Sequence, residues 1–236
     1  MSRRRRRLPA DKDVTPGNVT AVSDQPGILA RGPWKAEEVQ AVWRDEHYEP
    51  SGGHVTAADD AISALRERGS PSHDGVAARM VSHRVQDGSL HVELQPIRWA
   101  LRLVEGDASD SMAGLCVIRD GDGRWLAGRR AAWLSSWPGR WALGAGGAVD
   151  PFENPVETLT RELREEWQLE PDRLQVEALV RLPHSLVMLV GQAWVAAGSE
   201  VVMDHEHDAH AWWPPDPAHW PEEADEPLRR MAQLLM

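Results

Sequence analysis

Glu162, Glu165 and Glu166 crowd three carboxylates into the stretch Arg161-Glu162-Leu163-Arg164-Glu165-Glu166. At 100° per residue, positions i, i+3 and i+4 of a helix share a face, so the three acids form one stripe. Surface helices usually relieve such repulsion with a basic residue at i+4, yet position 166 is another Glu. Hard oxygen ligands on one face bind Mg²⁺ or Mn²⁺, which would remove the repulsion. A solvated acidic face is the alternative. Arg161 and Arg164 flank the acids but fall elsewhere on the wheel.

The helix that must carry this stripe has clear start signals. Asn154 suits the N-cap, Pro155 fits the first helical position, and Glu157 completes a capping box. Val156, Leu159, Leu163 and Trp167 make the apolar stripe beside the acids, which should face a sheet. Around it, residues 89–104, 112–120, 124–130, 174–184, 185–197 and 209–214 read as strands, with Asp120–Gly123 as a hairpin turn. Residues 35–46 and 56–68 read as helices. The second has Thr56 and Asp59 as a capping box and Gly69 as its stop. A closing helix runs from Glu223. Two strands, a loop, a helix, two strands and a helix in that order predict an α/β fold: a mixed sheet with helices packed on it.

Composition narrows the function classes. The 236 residues carry 26 basic and 37 acidic side chains, for a formal net charge of −11. Five of the basic residues are Arg3–Arg7, so the remaining body is more acidic still. That makes nucleic acid and anionic membranes poor partners, and it suits a site that concentrates divalent cations. No apolar stretch approaches the ~20 residues of a membrane span. The Arg run lacks a following apolar segment and so does not read as a secretory signal. The single cysteine, Cys116, sits in the apolar run Gly-Leu-Cys-Val-Ile, is expected in the core, and fits a cytoplasmic location. Twelve Trp against one Tyr and one Phe predict an indole-based core.

The glutamates belong to a longer spaced pattern. Gly147, Glu153, Arg161, Glu162, Leu163, Glu165, Glu166 and Leu169 fit it, and only Gln168 departs, standing where the pattern has Gly. This resembles the Nudix box of the Nudix hydrolases. Arg129-Arg130 and Trp137–Trp141 look like the family's approach to its glycine loop. Glu206-His207-Asp208 and Ala211–Pro214 look like its last core strand. The similarity spans about residues 110–234. The Arg-rich and then polar composition of residues 1–30 reads as a disordered tail, residues 31–109 as an N-terminal helical and strand extension, and the resemblance makes 110–236 a Nudix hydrolase domain. Residues 70–99 more loosely resemble the leader of relatives acting on nucleotide sugars.

The resemblance implies an α/β/α sandwich, plus the extension, that hydrolyses a nucleoside diphosphate linked to another group with Mg²⁺ or Mn²⁺. By position, Glu162, Glu165 and Glu166 would be metal ligands, helped by a backbone carbonyl at Gly146 or Gly147. Glu153 and Arg161 would orient them. A diphosphate repels nucleophiles, and bound cations offset its charge while a positioned carboxylate takes the proton from water. Arg129, Arg130 or Arg140 could grip the phosphate left unattacked, since a guanidinium fork suits it. The general base is left open among Glu206, His207, Asp208, His210, Glu165 and Glu166, because Ala209 stands where an acid is common. Trp133, Trp137, Trp212 and Trp213 are candidates for stacking on a base or sugar, against a core role. His205 and His207 read as an ordinary loop pair. A nucleotide sugar is the first substrate expected, and a homodimer is left open. The competing function is a non-catalytic Nudix-type sensor of a nucleotide derivative.

Three departures accompany this pattern. Leu159 stands where a small residue is common, and Asp150–Glu153 lacks the usual Gly-Glu. At Gln168 the expectation is that the helix runs about one residue further and turns at Glu170-Pro171, which avoids a left-handed Gln.

Overall fold

A computed structural model describes residues 26–69, 74–104, 109–134 and 137–236. The Arg3–Arg7 tail and Ser70–His73 lie outside the described residues. In chain order the elements are β1 (Gly27–Trp34), β2 (Val39–Trp43), α1 (Gly52–Glu67), β3 (Val76–Gln86), β4 (Ser89–Arg98), β5 (Met112–Asp120), β6 (Trp125–Arg130), β7 (Trp141–Leu143), β8 (Ala145–Ala148), α2 (Pro155–Trp167), β9 (Arg173–Arg181), β10 (Val187–Val195), β11 (His207–Trp213) and α3 (Glu226–Leu234). The main sheet runs β1-β9-β10-β5-β6-β11, with β7 on β6 and β8 on β5. It is mixed: β5 and β10 are parallel, and the other pairs are antiparallel.

Alternation along the strands gives this sheet two apolar faces. On one, Val156, Leu159, Leu163 and Trp167 of α2 pack on Met112, Cys116, Ile118, Val187 and Leu189. That is the stripe predicted from the helical wheel. On the other, Val117, Trp125, Ala127 and Leu143 meet Trp213, Trp220 and Ala232, the last from α3. The result is an α/β/α sandwich. Leu159 is accommodated by glycines: a Cβ at Gly191 would stand 2.5 Å from Leu159 Cδ1, and one at Gly114 3.0 Å from Cδ2. The large side chain at 159 and its two bare partners on β10 and β5 form one packing unit. Cys116 is buried, and burial pushes its thiol up to about 12, so it is inert core.

The N-terminal segment departs most from its expected structure. Residues 35–46 are not a helix. A short 3-10 turn, Ala36–Glu38, leads into β2, which pairs parallel to β4 in a second sheet ordered β2-β4-β3. Helix α1 starts at Gly52, capped by Ser51, and not at Thr56; Gly69, at φ +75°, follows its end as expected. β3 and β1 were not anticipated. β1 begins at Gly27, within the range read as tail, and forms the edge of the main sheet against β9. Trp34, Val39, Met80, Leu90 and Leu94 bury into the same cluster as the apolar stripe of α2. Residues 31–109 therefore contribute to the cluster that seats α2, while Ala58, Ile62, Leu65, Ala77, Ile97, Ala100 and Leu101 form a cluster of their own. No helix among the described residues is long and apolar enough to cross a membrane.

Candidate active site

α2 begins as its sequence dictates. Asn154 Oδ1 accepts from the Val156 N–H at 3.0 Å, and Glu157 Oε2 accepts from the Asn154 N–H at 2.9 Å. Such a cap contributes about 1 kcal/mol. With the start and the apolar stripe fixed, Glu162 and Glu166 turn inward toward β8. Both are buried, at 8% and 5% exposure, whereas Glu165 stands out in solvent. The Gly146 N–H donates to Glu166 Oε1 at 3.1 Å. A Cβ at Gly147 would lie 2.2 Å from Glu162 Oε1, so a bare backbone is required there.

Burial raises the Glu162 carboxyl to about 7, with the Glu165 and Glu206 charges adding to the rise and Arg161 opposing it. Glu166 is pushed well above the ordinary carboxylate range, first by burial and next by Glu162. Two buried acids this close resist ionising together unless a cation joins them. Hard oxygen donors with that appetite for positive charge fit Mg²⁺ or Mn²⁺.

Arg161 supplies the positive charge here, which corrects its expected position away from the acids. Its Nη1 donates to Glu162 Oε1 at 2.6 Å and to Glu165 Oε2 at 3.1 Å. The helical wheel treats side chains as short spokes, and a guanidinium on a long stem reaches across them. As the side chains stand, no group of three His, Cys, Asp or Glu residues among the described residues is gathered to hold a metal. Arg161 Nη1 bridges Glu162 and Glu165 instead. On its other side Arg161 is held by Glu153, through Nε to Oε1 at 3.1 Å and Nη2 to Oε2 at 3.2 Å, and by the Ala148 carbonyl at 3.0 Å. Glu153 also accepts from Thr158 Oγ1 at 2.6 Å and from the Asp150 N–H at 3.1 Å. Burial pushes Glu153 up, but these donors outweigh it and hold the carboxyl below its usual range. Arg164 is occupied with Glu170.

The far end of α2 corrects a second expectation. Gln168 adopts φ 52°, ψ 37°, the left-handed conformation, and does not extend the helix. Its N–H donates to the Arg164 carbonyl at 3.0 Å, and the Leu169 N–H to the Leu163 carbonyl at 3.4 Å. The chain accepts strain of about 1 kcal/mol relative to Gly there. The loop before β11 is stitched to this end. The Val202 N–H donates to the Trp167 carbonyl at 3.2 Å and the Asp204 N–H to the Glu166 carbonyl at 3.0 Å. Asp204 Oδ1 accepts from the Glu206 N–H at 3.0 Å, and the Glu206 carbonyl accepts from the Ala131 N–H at 2.8 Å. Glu206 is thereby fixed near enough for its charge to raise both Glu162 and Glu166. Its carboxylate accepts no hydrogen bond among the described residues.

The remaining candidates separate. His207 is buried, 4.3 Å from Trp167 between ring centres, with Nδ1 3.2 Å from Asp204 Oδ1 and Nε2 3.9 Å from Glu166 Oε2. Burial lowers its pKa. His205 points to solvent and stacks on Trp133, so the two imidazoles diverge. His210 lies edge-on to Trp167, while Asp208 pairs with Arg129. Alternation puts Arg130 on the face of Gly128, where Trp167 and His207 pack, and Arg129 on the opposite face. Arg140 pairs with Asp225, the N-cap of α3, away from the glutamates. Of the three arginines only Arg130 shares the carboxylate face. Trp212 and Trp213 pack against the two core clusters, whereas Trp133 and Trp137 are exposed. Thr158, Ala148 and Asp204, the partner of His207, had no signal in the sequence, because their roles depend on loops that only the fold brings together.

An α/β/α sandwich holding buried carboxylates under a glycine strand, with an Arg–Glu brace beside them, has the layout of a Nudix hydrolase. A family model for the NUDIX domain matches residues 111–235. The nucleoside triphosphatase NudI of Klebsiella pneumoniae (strain 342) is 30% identical over 111 residues, covering 42% of this chain and 78% of that protein. NudI of Escherichia coli O17:K52:H18 (strain UMN026 / ExPEC) is 30% identical over 115 residues, covering 43% and 81%. Among solved structures, the MutT protein from Methanosarcina mazei Go1 is 25% identical, covers 44% of this chain and 75% of that one, and gives a TM-score of 0.36. The NUDIX domain of Shewanella oneidensis NrtR, complexed with ADP ribose, is 19% identical and covers 52% and 86%, with a TM-score of 0.42. The chain belongs to the Nudix hydrolase family. Enzymes of this family generally require a divalent metal ion.

Proposed function

We propose that this protein hydrolyses a diphosphate linkage in a nucleoside di- or triphosphate derivative, with Mg²⁺ or Mn²⁺ held by Glu162, Glu165 and Glu166 beside the Gly146–Gly147 strand. The observation that carries this reading is the buried Glu162–Glu166 pair, raised in pKa and facing a backbone that leaves no room for a side chain. A bound divalent cation would supply charge compensation at the diphosphate. Every other part is done by the chain. Glu153 holds Arg161, and Arg161 steadies the flank of the carboxylate cluster. Arg130, on the same face, is the arginine best placed to take a phosphate oxygen through its guanidinium. Glu206 is the general base: its carboxylate is the acid near the pair that no described donor occupies, and its backbone is pinned on both sides. It would remove the proton from the attacking water as the new phosphorus–oxygen bond forms and the bridging phosphorus–oxygen bond breaks, the second phosphate leaving with that bond's electron pair.

For the substrate, the NudI relatives point to nucleoside triphosphates, and the looser likeness of residues 70–99 points to nucleotide sugars. The test is a hydrolysis screen with Mg²⁺ and with Mn²⁺ across nucleoside triphosphates, nucleotide sugars and dinucleotides, identifying the products. Metal-dependent release of a nucleoside monophosphate is the expected result. Absence of turnover in every class, with tight binding of one of them, would establish the sensor function instead.

A further inference from the structure

Strand β2 of the N-terminal segment reaches the turn that precedes α2. The Trp43 indole Nε1–H, at the end of β2, donates to the Glu153 carbonyl at 3.0 Å, across 110 positions of sequence. Four residues earlier on β2, the Val39 carbonyl accepts from Asn154 Nδ2 at 3.1 Å. The Trp43 ring also packs on Phe152, with ring centres 5.3 Å apart. Phe152 is otherwise exposed and sits at φ +64°, a conformation that side chains other than Gly rarely adopt. The turn Phe152–Asn154 is thus held on three consecutive residues by a strand that lies outside the family match. The strained residue opens this turn, and the β2 contacts add to the local bonds between Glu153 and Asp150 that hold it.

We propose that Trp43 is a positioning residue of the site: by clamping the Phe152–Asn154 turn it sets Glu153, and through Glu153 it sets Arg161 against Glu162 and Glu165. The inference rests on the hydrolase reading only for its effect on turnover. The chain of contacts is continuous. Trp43 holds the Glu153 backbone, the Glu153 carboxylate takes Arg161 Nε and Nη2, and Arg161 Nη1 reaches Glu162 and Glu165. A shift of the turn moves the guanidinium, and the guanidinium decides how the carboxylates on the same face are spaced. Asn154 has two duties here. Its Oδ1 caps α2, and its Nδ2 ties that cap to β2.

Trp43→Phe tests this, because it keeps an aromatic ring against Phe152 and deletes only the indole N–H. In the metal-free protein, hydrogen exchange of the Arg161 Nε–H, followed by NMR, should become about 5-fold faster, the scale of one lost hydrogen bond. On the best substrate of the screen, kcat should fall about 5-fold while KM stays within about 2-fold, since positioning and not substrate contact is lost. Glu153→Gln should show the same pattern, and adding Trp43→Phe to it should change neither readout further. Trp220→Phe removes an indole N–H on the opposite face of the sheet and should leave both readouts at wild-type values. Wild-type exchange at Arg161 in Trp43→Phe would overturn the proposal, as would an additive loss in the double variant. If Trp43→Phe does not fold, Asn154→Asp, which keeps the cap and deletes the donor to Val39, carries the same expected changes and the same overturning result. Faster Arg161 exchange in a protein that hydrolyses no substrate would uphold the positioning and remove the hydrolase reading alone.

Discussion

The two ends of α2 obey opposite rules. At its start every local preference agrees: Asn154 caps, Pro155 opens the helix, and Glu157 closes the box. At its finish Gln168 takes a left-handed conformation that its side chain resists. The start can be optimised for stability because the turn before it only has to hold Glu153. The finish has to end the helix directly after Glu166 and Trp167, so that the Ser199–Glu206 loop can bond to their carbonyls and bring Glu206 to the acids. Stopping in the right place outweighs the comfort of the residue that stops it.

The comparison breaks most visibly at Glu166. Gln is a near-isostere of the protonated carboxyl that burial favours at this position, and Glu166→Gln should fold normally. It should nevertheless lower turnover at least ~10²-fold, since a neutral amide cannot serve a site that must gather cations. Near wild-type rates in steady-state assays would detach the helix finish from catalysis.

Divalent metal should raise thermal stability, by up to about 2.7 kcal/mol at a hundredfold excess over Kd. The gain should shrink in Glu165→Gln/Glu166→Gln, and melting curves with and without Mg²⁺ compare the two. An equal gain in that variant would place the ions elsewhere.

Asn154→Ala attacks the start. Loss of the cap should cost about 1 kcal/mol in denaturant unfolding, more than at an isolated helix, because the tie to Val39 goes as well. A cost below a few tenths would show that the apolar stripe alone sets where α2 begins.

Gln168→Gly relieves the finish. It should stabilise the protein by up to about 1 kcal/mol and keep kcat within a few-fold. No stabilisation would mean that the side chain offsets its own strain; a large rise in kcat would mean that the strain distorts the site.

The smallest effect sets a baseline away from both ends. His83, buried beside the Leu29 carbonyl and near Arg181, has its pKa lowered by burial. The unfolded chain therefore binds a proton that the folded one resists. Its contribution is intact above about pH 6.5 and is lost as pH falls below that value. In His83→Gln the melting temperature should fall less steeply between pH 6.5 and 5. The same slope in both proteins would assign acid sensitivity to other groups.

Much of this was legible in the residues themselves. The start of α2, its apolar stripe, β5, β10 and the Asp120–Gly123 turn follow from local preferences and periodicity. The glutamate stripe was legible because three acids at i, i+3 and i+4 strain against one another. What could not be read depends on reach or on distant partners. Lys35–Glu46 has helix-favouring residues, but Val39, Ala41 and Trp43 alternate inward once β4 lies alongside, and the pairing overrides the propensity. β3 hides its period behind a bulge between Met80 and Ser82. Arg161 was misplaced because a long side chain need not follow its spoke. At Gln168 local strain alone predicts that the helix runs on. The bonds from residues 199–206 that reward an early stop are invisible in sequence.

The pairing of β1 with β9 governs the order in which this protein can be built. Gly27 lies opposite Arg181, and Trp34 opposite Val176. During synthesis β1 emerges before the other described strands, yet the partner that satisfies its backbone follows only after α2. Contacts between such distant segments close slowly. Until then β1 exposes an open edge, the feature of nascent chains that invites aggregation. A ribosome stalled before residue 173 would hold a chain with its helix and glutamates already made and its first strand still searching for a neighbour.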